Sequence, residues 1–214
     1  MIKILLLSLM LFSACSFKTP ANQWQYKSTT AFNSYTQNFL SMQDTLARDD
    51  LKRAIKHAKK SANLTQLAKV YLGECALNIS VGADNSCIKY ENISNLLESP
   101  ELNAYYRLLT KNITTEQTQY LPKQYREFAL QTLNAESQKD YKYILEIEKP
   151  TSTLLCATLV KNKLDNAFIE ELIQLASYNG YKRAVLFWLH EKLKQTQDEE
   201  EKKKIKKRIS ILVT

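Results

Sequence analysis

Apolar residues recur at steps of three and four along nearly the whole chain. Phe32, Tyr35, Phe39, Met42 and Leu46 form the first stripe, a spacing that places all five on one face of a helix. Asp49 or Asp50 is positioned to cap a second helix. Its buried stripe is Leu51, Ile55, Ala58 and Ala62, and its other face carries Lys52, Arg53, Lys56, Lys59 and Lys60. Asn63 with Gln66 three residues later has the form of a capping box and opens a third helix through Leu67, Tyr71 and Cys75. A turn-like stretch over 80–86 separates it from a weaker helical pattern over 88–97.

The second half is punctuated more sharply. Ser99-Pro100-Glu101 combines an N-cap, a proline at the first helical position and an acid in the first turn, ahead of Leu102, Tyr105, Tyr106 and Leu109. Thr114 with Gln117 marks another start, and Pro122 opens a helix through Tyr125, Phe128, Ala129 and Leu133. Ser137 is read as the cap of a helix carrying Tyr141, Ile144, Leu145 and Glu148 that Pro150 ends. The run 152–163 is apolar enough for a central buried helix. Asp165 caps a helix through Ile169, Leu172, Ile173 and Ala176, which Asn179-Gly180 terminates. Tyr181, Ala184, Val185, Trp188 and Leu189 follow on the next. The last helix opens with Glu199, Glu200 and Glu201, continues with Lys202, Lys203 and Lys204, and keeps one apolar face at Ile205, Ile209 and Leu212.

Composition supports this reading. The 214 residues include only 3 Gly and 4 Pro, too few for the tight turns of a strand-rich fold. The expected fold is all-α, an array of antiparallel helical hairpins forming either an irregular α-solenoid or a bundle. Two places resemble tetratricopeptide repeats, with a likeness in style to Sel1-like repeats. One runs from Ala47 through Ala54-Ile55 to Leu67 and Gly73, the other from Leu175-Ala176 through Asn179-Gly180 to Ala184. The resemblance implies close helix approach at Ala54, Gly73, Gly180 and Ala184, although no 34-residue period connects the two places.

The amino terminus has a different character. Lys3 supplies a positive start, an apolar run follows over 4–12, and Ser13-Ala14 precede Cys15. This is a secretory signal pattern. The run is about half the ~20 residues needed to span a bilayer. The sequence Leu11-Phe12-Ser13-Ala14-Cys15 resembles the lipobox of bacterial lipoproteins, with Phe12 departing from the usual Leu. The resemblance implies a diacylglycerol thioether on Cys15, cleavage before it and acylation of the new amino terminus. The expected organisation is a signal over 1–14, a lipidated tether over 15–23 and one helical domain over 24–214. Ser16, in place of Asp after the acylated Cys, implies the periplasmic face of the outer membrane rather than the inner membrane.

The net charge of +8 would ordinarily suggest nucleic acid, but export argues against that partner and favours anionic lipid, wall polymer or an acidic protein, with Lys-rich solvated helix faces as the plain alternative. Outside the cytoplasm thiols can pair. Cys75 and Cys87 flank the turn-like stretch and are expected to form a disulfide, whereas Cys156, in Leu154-Leu155-Cys156-Ala157, reads as a buried small residue. The two histidines, His57 and His190, lie among charged neighbours and have no HExxH spacing. No P-loop, dinucleotide fingerprint or G-x-S-x-G elbow occurs, so no metal or cofactor is expected. Glu146 with Glu148, and Glu170 with Glu171, are the carboxylates a wall-glycan hydrolase would draw on, but their spacing does not bring either pair face to face on a helix.

The sequence therefore points to a membrane-anchored envelope lipoprotein that binds or assembles with a protein or peptide. The first alternative is a module that grips cell-wall polymer or anionic lipid through basic faces, one at Lys52, Arg53, Lys56, Lys59 and Lys60 and one over 202–208. The second is a glycan-cleaving enzyme.

Overall fold

A computed structural model describes residues 22–60, 64–83, 87–133 and 141–213. The protein is all-α: the described residues contain ten α-helices, three short 3-10 turns and no strand. The caps expected at Asn63 and Ser137, the position of Ala62 and the centre of the turn at 84–86 all lie outside the described residues, as does Cys15.

Helix α1 (Gln23–Leu40) and helix α2 (Asp44–Ala58) form a tight antiparallel hairpin. Two hydrogen bonds fix the register: Ser28 Oγ donates to the Ala54 carbonyl at 3.0 Å, and Asn38 Nδ2 donates to Asp50 Oδ2 at 2.6 Å. The first stripe is therefore broken earlier than its periodicity suggests. Met42 adopts a left-handed φ of 65° and the Gln43 amide returns to the Asn38 carbonyl, which closes α1 at Leu40. Leu46 lies beyond the turn, in α2, and is exposed. Asp49 and Asp50 are interior to α2, not caps. Asp50 is buried and its carboxylate is held by Asn38 and the Arg53 guanidinium.

Helix α3 (Leu64–Ser80) is the central post and contacts α1, α2, α4 (Ile88–Ser94), α5 (Pro100–Leu109) and α7 (Pro150–Leu159). Gly73 of α3 sits under the Phe32 ring so closely that a Cβ would overlap it. The disulfide between Cys75 and Cys87, with Cα atoms 5.2 Å apart, ties α3 to the start of α4. The Ser99 hydroxyl accepts from the Leu102 amide at 3.3 Å and opens α5. Gln117 Oε1 accepts from the Thr114 amide at 3.1 Å, but the element it opens is a 3-10 helix, Thr115–Tyr120. Helix α6 (Lys123–Leu133) follows Pro122.

The segment with Tyr141, Ile144, Leu145 and Glu148 does not form the expected helix. It makes a 3-10 turn, Lys142–Ile144, and Pro150 starts α7 instead of ending an earlier helix. Proline lacks an amide hydrogen that the first helical turn does not use anyway, so it serves both kinds of boundary and the sequence alone favoured the wrong one. Thr153 Oγ1, donating to the Ile147 carbonyl at 3.0 Å, secures the entry. Helix α7 ends at Leu159, short of the expected 163, and a 3-10 turn, Lys161–Lys163, takes up the rest. Residues 152–159 of α7 are all buried, and Thr158 Oγ1 reaches the Ser80 carbonyl of α3.

Helices α8 (Asn166–Tyr178) and α9 (Lys182–Gln195) make the second hairpin. Asp165 caps α8 by accepting from the Phe168 amide at 2.7 Å, and Gly180 supplies the left-handed residue of the turn at φ 70°. Nothing lies within 4 Å of a Cβ built on Gly180, so this glycine serves the turn and not a close helix approach. Ala54 and Ala184, by contrast, are fully buried between helices. Helix α10 (Glu199–Val213) lies along α9, with Ile205 buried against it. The Lys192 ammonium bridges Glu170 of α8 at 2.9 Å and Glu201 of α10 at 3.0 Å. Burial opposes its charge, but the two carboxylates outweigh this and hold its pKa above the ordinary lysine value.

The loop end of the first hairpin docks on the second. Arg183 Nε donates to the Phe39 carbonyl, its guanidinium pairs with Asp44, and Ser41 Oγ reaches the Gly180 carbonyl. Helix α1 thus packs on α9 as well as on α2 and α3. The array closes on itself as a bundle and does not open as a solenoid. No helix among the described residues is long and apolar enough to cross a membrane.

Candidate binding surfaces

The five cations proposed for a basic face are exposed on α2 and the two residues after it, but they are not equivalent. Lys52 is 3.8 Å from Asp49, and Arg53 pairs with the buried Asp50, so both are drawn into local ion pairs. Lys56, Lys59 and Lys60 occupy the last turn and the residues just beyond it, are exposed, and have no ion-pair partner among the described residues. Antiparallel pairing brings a further cation to them. Lys27 of α1 acts electrostatically on His57, as do Lys60, Lys56 and Arg53. Burial first, and then these four cations, lower the His57 pKa. Its Nδ1 is enclosed with no hydrogen-bond partner among the described residues.

Lys27 escaped the sequence reading. Locating it requires knowing that α1 turns back at residue 41, because only then does residue 27 face the end of α2. The stripe that ran on to Leu46 displaced that turn and hid the pairing.

A second surface is a cleft of about 510 Å³ between the 3-10 turn before α7 and the start of α8. Its apolar lining is Tyr141, Leu145, Leu164 and Phe168, and its charged lining is Lys142, Glu146, Lys163, Asp165 and Glu171. Asp165 is committed to capping α8. Glu146 and Glu171, from different parts of the sequence, line the same cleft. Glu170, the neighbour of Glu171 in the sequence, is instead paired with Lys192 and lies 3.8 Å from Arg208. Sequence spacing could not have joined Glu146 to Glu171, since they line one cleft only because the turn before α7 lies beside the start of α8.

The remaining reactive groups are accounted for structurally. Cys156 is free and fully buried, and burial pushes its thiol pKa far above the ordinary value. His190 Nδ1 lies 2.7 Å from the Leu186 carbonyl one turn back. Trp188 is buried and packs edge-on against Phe187, with ring centroids 4.9 Å apart. Among the described residues no three His, Cys, Asp or Glu side chains converge as a metal site.

Compared with protein-family models, curated proteins and solved structures, the chain matches none.

Proposed function

We propose that this protein is a bacterial envelope lipoprotein, tethered through lipid on Cys15, whose helical bundle binds a protein or peptide segment. The observation that carries the binding reading is the cleft over Tyr141, Leu145, Leu164 and Phe168. An apolar floor with both signs of charge around it suits a peptide, whose side chains need burial and whose backbone and termini need polar partners. The lipobox resemblance at 11–15 supports the tether, and Ser16 supports placement on the periplasmic face of the outer membrane. Two or more acyl chains at one terminus give stable anchoring without a membrane span.

A photocrosslinking residue at Phe168, in the lipidated protein in intact cells, tests the binding reading. The expected result is one discrete adduct that charge reversal at Glu146 and Glu171 abolishes. A crosslinker at Tyr178, whose side chain is 92% exposed on the far end of α8, serves as the control. No adduct at Phe168, or the same adducts from Tyr178, overturns the cleft as the binding site. For the tether, Cys15→Ser should give an unprocessed or soluble exported protein, and its unchanged retention in membranes after high-salt washing overturns the anchor.

A further inference from the structure

The hairpin register has a consequence for the anchored end of the molecule. Helix α1 starts at Gln23, eight residues after Cys15, and a chain of that length spans at most about 28 Å. Because α1 and α2 are antiparallel, the start of α1 and the end of α2 lie at the same end of the hairpin. That end carries Lys27, Lys56, Lys59 and Lys60, all exposed. The other end is occupied by the contacts of Phe39, Ser41 and Asp44 with α9 and its preceding turn.

We infer that the end of the hairpin formed by Tyr26, Lys27, Lys56, Lys59 and Lys60 seats on the phosphate-bearing headgroups of the bilayer that holds the Cys15 lipid. The inference rests on the anchor reading and adds an orientation to it: α1 stands away from the membrane and carries α8 and α9 outward by its own length, about 27 Å.

Three observations support an anionic bilayer as the occupant. The first is reach, since the tether keeps this end close to the surface to which it is attached. The second is charge complementarity. Lys27, Lys56, Lys59 and Lys60 have no ion-pair partner among the described residues; on α10 Lys202 and Lys203 pair with Glu199 and Glu200 while Lys204 and Lys207 also lack one, so it is charge together with reach that singles out the hairpin end. The local field is positive enough that four cations act together on His57. Attraction of this kind acts within a Debye length, about 8 Å at physiological salt, so it requires the close approach that the tether enforces. The third is Tyr26, 66% exposed beside Lys27, a ring of the type that settles at headgroup depth. Trp24, partly exposed, lies in the same first turn of α1.

The test uses the mature chain with Cys15→Ser, which removes the lipid and leaves the protein surface to bind alone. Flotation with phosphatidylcholine vesicles, with and without phosphatidylglycerol, measures its affinity. Binding is expected only with phosphatidylglycerol. The variant K56Q/K59Q/K60Q should bind roughly a hundredfold more weakly, since each lysine near an anionic surface contributes close to a factor of five. The variant K204Q/K206Q/K207Q removes the same charge from α10 and should bind within about twofold of the parent. Circular dichroism must show parental helicity for both variants. Brominated phosphatidylglycerol should quench the emission of Trp24, since Trp188 is buried out of reach.

No binding to anionic vesicles, equal loss in the two variants, or no quenching overturns the inference. So does binding by this patch to wall polymer but not to vesicles. Mass spectrometry of the exported wild-type amino terminus separates the two claims. A patch effect with no lipid on Cys15 removes the anchor reading alone, and lipid on Cys15 with no patch effect removes the seating alone.

Discussion

Arg183 closes on Phe39 across 144 residues of sequence, its Nε donating to the Phe39 carbonyl at 2.7 Å while the guanidinium lies 4.4 Å from the centre of the Phe39 ring. The same carbonyl also accepts from the Met42 amide at 3.2 Å, so the guanidinium adds a second donor to the turn that ends α1. The same guanidinium reaches Asp44 at the start of α2, so one side chain holds both helices of the first hairpin. Replacing it by Ala should cost about 1–3 kcal/mol, the range for a hydrogen bond to a charged group with a cation–π contact. Arg183→Lys keeps the charge but loses the planar fork and should recover only part of this. Urea unfolding midpoints of the three chains check the order.

Two glycines with nearly the same backbone should respond differently to alanine. Gly82 and Gly180 have φ values of 69° and 70°. A Cβ on Gly180 meets nothing, so only the left-handed backbone penalty applies, about 1–2 kcal/mol. A Cβ on Gly82 would also overlap the Phe187 ring, which adds about 1–3 kcal/mol for overpacking. Thermal unfolding should therefore rank Gly82→Ala well below Gly180→Ala. Equal melting temperatures would mean that Phe187 moves aside freely.

The helical class was legible because the signal was redundant. Ser99, Pro100 and Asp165 mark helix starts by local chemistry, and each sits where such chemistry requires. The end of α1 was not legible, because Met42 takes a left-handed turn with no glycine to announce it. Pro150 was ambiguous because proline both ends and begins helices. Of the surfaces, the lysines of α2 could be read from one helix face. The joining of Lys27 to them, and of Glu146 to Glu171, depends on how helices pack, and no local pattern encodes that.

Thiol counting tests the cysteine arrangement. In the mature chain with Cys15→Ser, the native protein should show no thiol reactive to an aqueous reagent. Cys156 is buried and its thiol is held protonated, and Cys75 is bonded to Cys87. Denaturant without reductant should reveal one thiol, and reductant three. Replacing Cys75 and Cys87 by Ser should cost about 3 kcal/mol by releasing a short loop in the unfolded chain. Two or three thiols in unreduced denaturant would rule the disulfide out of the exported protein.

His57 offers a spectroscopic report on the basic end. Its pKa is lowered by burial and by Lys60, Lys27, Lys56 and Arg53, so as pH falls the unfolded chain binds the proton first. This group makes folding less favourable as pH drops below the ordinary histidine value and has no effect above it. Nuclear magnetic resonance titration should place the native His57 below the same residue in denaturant. K56Q/K60Q should raise it, and an unchanged value in that variant would show that the lysine charges do not act on the ring.

The closure of α1 on α9 also bears on how such a molecule can change over time. An open stack of helical pairs lengthens by duplication, because a new pair lands on an exposed end much like the one it covers. Here the first pair is already covered by α9 through Arg183, Phe39 and Asp44. An extra pair inserted between them would have to break that seam before finding a neighbour. New capacity is therefore more readily gained by altering side chains on the existing frame than by adding length to it.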